Sequence, residues 1–304
     1  ISACLVGSEM CIRDRLSTDH ICPDVSGKQP MTDLLVDKYE HATVWTLNRP
    51  HRMNAMGGTL IEELTEAVRE FEADPAQHVA ILTGAGEKAF CAGADLKEMA
   101  ESASSGRRLP VVSTPDIAGL AACEKVTIAA VNGVAIAGGL ELSLCCDIRI
   151  ASSNATFGVF EVKRGILAGI AVNVLPRLMP IGAVMDLMLC AGRLTAEDAF
   201  RLGLIQDVVS PDDLIPAALR RAAMVSSNSQ AAVRGTKQVL RFWRDAMMTE
   251  QVRYYQAVMH RVLLSGDVFE GPLAFAEKRE PQFSPGFPDP FASLRRDTET
   301  QPED

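Results

Sequence analysis

Two carboxylates stand out because each is set among apolar residues: Glu141 in Gly138-Gly139-Leu140-Glu141-Leu142 and Glu161 in Val159-Phe160-Glu161-Val162. A carboxylate kept from water resists ionising, so its pKa climbs toward the range useful for proton transfer near neutral pH. Directly ahead of Glu141, Gly138 and Gly139 open a predicted helix, where unpaired backbone N–H groups and the helix dipole favour an anionic oxygen. Ala92-Gly93-Ala94 offers a second free N–H, since small residues let a ligand approach the backbone, and Asp95 suits the cap of a short helix behind it.

Each feature also has a plainer reading. A first-turn glutamate complements the helix dipole whatever else it does. Lys163 and Arg164 could make Glu161 an ordinary surface ion-pair partner. The apolar run from Val126 to Ala151 approaches the roughly 20 residues that cross a bilayer. Glu141 and the breaks at Asn132-Gly133 and Gly138-Gly139 argue against a span, because buried charge and open backbone are costly in lipid.

The elements that must position these residues follow from periodicity. Val126 to Val131 is a β-branched run, apolar but for Thr127, that suits a strand buried on both faces, and Leu140 to Cys146 reads as a short buried helix. Upstream, Leu34 to Tyr39 and Thr43 to Leu47 read as paired strands joined at Glu40-His41, and proline ends the second at Asn48-Arg49-Pro50. Thr59 to Ala73 carries Leu60, Ile61, Leu64, Val68 and Phe71 at helical spacing, and Val79 to Thr83 is the next buried strand. Gly84-Ala85-Gly86-Glu87-Lys88-Ala89 nearly matches a dinucleotide fingerprint, but the chain continues extended instead of opening a helix, so a nicotinamide site is not expected.

Residues 101–115 read as a mobile surface loop, and Pro115 to Cys123 as a helix. Asp147 to Ala151 is a strand, and Ala155 to Gly158 an extended piece leading to Glu161. Gly165 to Met188 suits helices around a cavity. Thr195 caps a helix that Gly203 stops. From Asp212 the chain turns helical, near Leu214 to Ser226, Ser229 to Met248, Thr249 to Leu264 and Leu273 to Glu280. Val252, Tyr255, Met259, Val262 and Leu263 make one apolar stripe in the third of these, either core or a subunit interface.

The chain is long enough to bury a sizeable core. Hydrophobic residues make up 47% and charged residues 23%, as in ordinary globular proteins. A net charge of −9 argues against a nucleic-acid partner, which needs a basic face. The eight cysteines include no Cys-x-x-Cys pair. Cys91, Cys123, Cys145, Cys146 and Cys190 lie in apolar segments and read as reduced core residues of a cytosolic protein, not as a metal site. Residues 1–30 show no periodicity and read as a non-native or disordered leader, with Met31 resembling a natural start. The tail from about 284 to 304 reads as disordered.

Three strings taken together resemble the crotonase superfamily of enoyl-CoA hydratases and isomerases, and enoyl-CoA hydratase most of all: Asn48-Arg49-Pro50 with Asn54-Ala55; AFCAGADLKEM from Ala89 to Met99; and NGVAIAGGLELSLCCD from Asn132 to Asp147, with Phe157-Gly158 and Glu161 after it. The resemblance covers about Leu34 to Phe283. It implies an α/β fold, a spiral of ββα repeats over residues 31–211, with a helical, trimer-forming region over 212–283.

It also implies a site. Ala94 and Gly138 would donate N–H groups to the thioester carbonyl of an acyl-CoA, while Ala92, Asp95, Phe275 and Lys278 would meet the CoA. Glu141 and Glu161 match the two glutamates of the hydratases: Glu141 would help activate water for attack at Cβ, and Glu161 would supply a proton to Cα. The expectation is hydration of a 2-enoyl-CoA, with double-bond isomerisation as the alternative and non-catalytic acyl-CoA binding as a lesser one. No metal or redox cofactor, no membrane and no nucleic acid would take part, and the assembly would be a homotrimer or a dimer of trimers. Two departures border the acyl pocket: Val159-Phe160 stands where many hydratases carry a proline, and Ala168 to Asn173 replaces a commonly glycine-rich turn.

Overall fold

The structure, a computed structural model, describes residues 32–99, 116–245 and 248–286. The expected leader, the 101–115 loop and most of the expected tail lie outside the described residues.

Among the described residues, ten strands form two sheets. In the larger, β1 (Leu34–Lys38), β2 (Ala42–Leu47), β3 (Val79–Gly84), β5 (Val126–Val131), β7 (Ile148–Ser152) and β10 (Asp207–Val209) lie in that order. The smaller sheet runs β4 (Ala89–Cys91), β6 (Val134–Ile136), β8 (Thr156–Gly158) and β9 (Arg193–Thr195). Each turn of the chain lays one strand in the large sheet and the next in the small one, β3 then β4, β5 then β6, β7 then β8. This is the ββα spiral that the motifs imply. Every pairing is parallel except β1 with β2 and β8 with β9.

The continuous apolar runs are explained by two-sided burial. Ala80 and Leu82 of β3 point into the main core with Trp45, Leu47 and Phe90, whereas Val79 and Ile81 point to the other face with Val44, Ile128 and Ile150. Helix α1 (Leu60–Ala73) closes the main core with Leu60, Leu64, Val68 and Phe71. The second face is covered by α6 (Leu214–Ser226), through Leu214, Ala217, Ala218 and Ala222.

Between the strands lie α2 (Gly138–Leu144), α3 (Ala171–Leu178), α4 (Ile181–Leu189) and α5 (Ala196–Arg201). Thr195 caps α5 as its sequence suggests, taking the Asp198 N–H at 3.1 Å. After α6 come α7 (Gln230–Asp245), α8 (Met248–Ser265) and α9 (Asp267–Glu277). Among the described residues no helix is long and apolar enough to cross a membrane.

Three expectations fail. The described part of Pro115 to Cys123 is a turn, not a helix: Ala118 and Gly119 take φ values of 56° and 80°, and the Asp116 carboxylate captures the Ala121 and Ala122 N–H groups. The last helix starts earlier and stops sooner than Leu273 to Glu280, because Lys278 turns left-handed and closes it. Cys190 is exposed, not core, since it follows α4, whose Ile181, Met185 and Leu189 face outward.

Candidate active site

The glycine-rich end of β6 builds the first feature. Ala137 is held at φ 52° and ψ −131°, a conformation that L residues rarely adopt, and it precedes the first residue of α2. Its N–H is tied to Gly158 O at 2.8 Å, and its carbonyl accepts the Glu141 N–H. The Gly138 N–H thereby starts the helix with no partner among the described residues.

Facing it is the loop after β4, the neighbour of β6 in the small sheet. Gly93 has φ 91°, and Ala94 forms a parallel bridge to Met56 in which Met56 N–H donates to Gly93 O (2.7 Å) and Asp95 N–H to Met56 O (2.9 Å). Those bonds use the groups on either side of Ala94 and leave its own N–H facing away, bonded to nothing among the described residues. The two loops touch. A methyl group built on Gly93 would lie 3.1 Å from Gly138 N, and one built on Gly138 would lie 3.7 Å from Ala94 N. Two N–H groups without a partner among the described residues thus lie close together just beyond the ends of neighbouring strands, an arrangement able to hold an oxyanion.

Glu141 lies one helical turn into α2 and is 6% exposed. Its Oε1 accepts two N–H groups from the start of α3, Ile170 at 2.6 Å and Ala171 at 2.9 Å. Burial raises its pKa, and those amides, with that of Gly169, partly oppose the rise by favouring the charged form. The dipole it answers is therefore that of a second helix.

Glu161 opens a 3-10 turn, Glu161–Arg164, and its Oε2 is buried with no hydrogen-bond partner among the described residues. Burial and the charge of Glu141 push its pKa up to about 8. The ion-pair reading fails here, because Lys163 stands over the Phe160 ring at 5.6 Å and Arg164 over the Phe275 ring at 4.3 Å. Helix α9 holds this turn: methyl groups at Gly165 and Gly271 would strike Asp267 O and Arg164 O at 2.4 and 2.2 Å. The structure therefore brings Glu141, Glu161, Ala94 and Gly138 into one neighbourhood.

Of the remaining expected contacts, the Ala92 N–H is taken by Met53 O (3.1 Å), so its carbonyl is the group left for a ligand. Asp95 is 5% exposed; its Oδ1 accepts the Lys97 N–H as a cap, while Oδ2 lies 3.4 Å from Arg49 and 3.9 Å from Arg52. Phe275 lies on α9 beneath Arg164, and Lys278 is exposed at the end of that helix. Among the described residues no cluster of histidine, cysteine and acidic side chains could hold a metal.

One site residue escaped the reading of the sequence. Tyr255 of α8 is 7% exposed, and its hydroxyl donates to Leu167 O at a long 3.4 Å. Burial, with the charges of both glutamates, pushes its pKa up to about 12. Its one signal was a hydroxyl in an otherwise apolar stripe.

Residues 37–286 match the model of the Enoyl-CoA hydratase/isomerase family. The chain belongs to that family. A crotonyl-CoA hydratase of Syntrophomonas wolfei subsp. wolfei is 37% identical over 253 residues, covering 83% of this chain and 97% of that protein. An (E)-benzylidenesuccinyl-CoA hydratase of Thauera aromatica is 37% identical over 244 residues, covering 80% and 95%. The solved structure of carnitinyl-CoA hydratase from Mycobacterium avium superposes with a TM-score of 0.73 at 35% identity, over 83% of this chain and 98% of that one. The family's hydratases and isomerases share one scaffold, so the exact reaction must be argued from the glutamates and the paired amides.

Proposed function

We propose that this protein adds water across the double bond of a 2-enoyl-CoA thioester to give a 3-hydroxyacyl-CoA. The carrying observation is the unequal environment of the two carboxylates. Oε1 of Glu141 accepts two backbone N–H groups that favour its charge, whereas Oε2 of Glu161 has no partner among the described residues, and burial and the Glu141 charge oppose its ionisation more than the Phe160 and Glu161 amides favour it. In this reading the pair works as a carboxylate, Glu141, beside a carboxylic acid, Glu161, one base and one acid.

In this reading the thioester oxygen lies between the N–H groups of Ala94 and Gly138. Ionised Glu141 takes a proton from water as its oxygen bonds to Cβ. The π electrons shift through Cα toward the thioester oxygen, and the two amides stabilise that charge. Protonated Glu161 then delivers its proton to Cα as the carbonyl re-forms. Passing a proton from Glu141 to Glu161 resets the pair. The scheme calls for no metal or redox cofactor. The CoA portion would meet the Ala92 carbonyl, with Asp95, Phe275 and Lys278 along its path. Assembly as a homotrimer or dimer of trimers belongs to the same reading, supported by Ile181, Met185 and Leu189 of α4 and Val239, Leu240 and Phe242 of α7, all exposed on the single chain. A cytoplasmic location fits the buried thiols of Cys91, Cys123, Cys145 and Cys146.

The test is turnover of 2-enoyl-CoA and 3-enoyl-CoA thioesters by the wild type, Glu141→Gln and Glu161→Gln, followed by loss of conjugated-thioester absorbance and by product mass. Hydration requires each variant to lose about 10²–10⁴-fold in kcat with thioester affinity far less changed. Preference for the 3-enoyl thioester, with one variant still active, would identify an isomerase instead.

A further inference from the structure

The Ala94 amide rests on a charge cluster of which the reading above uses only Asp95. Arg49 is 6% exposed. Its Nη1 donates to Ala55 O at 2.9 Å and its Nη2 to Glu98 Oε1 at 2.7 Å. The same Nη2 lies 3.4 Å from Asp95 Oδ2, and Nε lies 3.7 Å from Asp33 Oδ1. Both outer carboxylates reach onward to backbone amides: Glu98 Oε2 accepts the Gly58 N–H at 2.9 Å, and Asp33 Oδ2 the Thr59 N–H at 3.0 Å.

The placement of these partners matters more than their number. Ala55 immediately precedes Met56, and Asp95 immediately follows Ala94, so one guanidinium reaches both sides of the bridge that turns the Ala94 N–H outward, by a hydrogen bond to Ala55 O and by charge alone to Asp95 Oδ2, which has no hydrogen-bond partner among the described residues. Asn54 braces the same turn, accepting the Arg49 N–H at 3.1 Å and donating to Ala89 O at 2.8 Å on β4. Burying an ionic cluster is a poor way to add stability, because desolvation consumes most of the attraction. It is a good way to fix geometry, since a planar fork with several fixed partners tolerates few arrangements. The Gly138 amide is fixed separately, by the Ala137 backbone and its bond to Gly158.

We propose that Arg49 is a positioning residue that aims the Ala94 N–H at the thioester oxygen by locking Ala55, Asp95 and Glu98 about the Met56–Ala94 bridge. This rests on the reading of Ala94 and Gly138 as the oxyanion donors. Arg49 touches no reacting atom, and its effect reaches the substrate through one amide of the two.

The test reads carbonyl polarisation directly. Butyryl-CoA lacks the double bond and binds without turnover, and its thioester C=O stretch is measured free and bound by difference infrared spectroscopy. The wild type should shift the band to lower frequency. Arg49→Lys keeps the charge but loses the fork, and should bind butyryl-CoA within about threefold of wild type, show a smaller band shift, and lose on the order of 10–100-fold in kcat, less than the 10²–10³ typical of deleting a donor. Glu98→Gln, a change at a half-exposed partner, should move the same readouts in the same direction by less, and carries the test if Arg49→Lys does not fold. A full wild-type band shift in the folded variants would overturn the proposal, whatever happened to their melting temperatures. Absence of any shift in the wild type would instead overturn the oxyanion reading beneath it.

Discussion

Glu141 and Glu161 share one site on unequal terms: Oε1 of Glu141 accepts two backbone N–H groups at 2.6 and 2.9 Å, while Oε2 of Glu161 is buried without a partner among the described residues. Two like groups so placed give up their protons in sequence, Glu141 first.

The rate of hydration should therefore be bell-shaped in pH. Glu161 is protonated below about 8, so kcat should fall as pH rises through that value. The acid limb reports protonation of Glu141 and should lie above the ordinary value of 4.5. Removing the neighbouring charge with Glu141→Gln should move the alkaline limb of the residual rate to lower pH, without restoring 4.5, because burial remains the larger cause. Tyr255→Phe is the control: that hydroxyl keeps its proton up to about 12, so the limb near 8 should not move.

Stability should carry the same signature. A carboxyl at about 8 in the folded chain and 4.5 when unfolded binds its proton more tightly in the native state, so its contribution is lost as pH rises from 4.5 through 8. Glu161→Gln has no such loss. Its melting temperature should exceed that of the wild type at pH 8.5 and match it at pH 4. The gain should reach up to a few kcal/mol, because each tenfold difference in proton affinity between the folded and unfolded chain is worth about 1.36 kcal/mol. Equal melting curves at pH 8.5 would contradict the raised pKa.

Adjacent glycines should respond differently to alanine. At Gly139 a methyl group would lie 1.9 Å from Cys91 O, part of the β4 backbone, so Gly139→Ala should fail to accumulate as folded protein. At Gly138 the nearest atom is Met56 Cε at 2.5 Å, the mobile end of a long side chain. Gly138→Ala should fold and bind CoA thioesters, yet lose about 10²–10³-fold in kcat as its methyl enters the gap between the amides. Circular dichroism and kinetics of the two variants separate these outcomes.

The sequence was legible wherever one residue or one face carries the information. Val126 to Val131 is apolar but for Thr127 because β5 is buried on both faces, and Thr195 declares its helix through one hydroxyl. Glu141 and Gly138 could be singled out because a charge and a flexible pair are conspicuous in an apolar run. Illegible were relationships between distant segments. Arg49 reads as part of a strand-ending turn, and nothing near it tells of Glu98, 49 residues on. Tyr255 follows the stripe of its helix, which encodes a buried face but not what that face meets. The exposed side of α4 and Cys190 failed for the converse reason, since apolar composition does not say on which side a helix is covered.

The backbone at Ala137 sets activity against robustness. Holding a residue other than glycine at φ 52° and ψ −131° costs on the order of 1–3 kcal/mol, more than the roughly 0.5–1 kcal/mol of chain entropy that a glycine there would lose. Ala137→Gly should accordingly melt at a higher temperature than the wild type. It should also turn over more slowly, because the same relaxation lets the Gly138 amide swing through a wider arc. An organism needing a hardier form of this enzyme would find the simplest route, a single methyl removed, closed to it by the reaction itself.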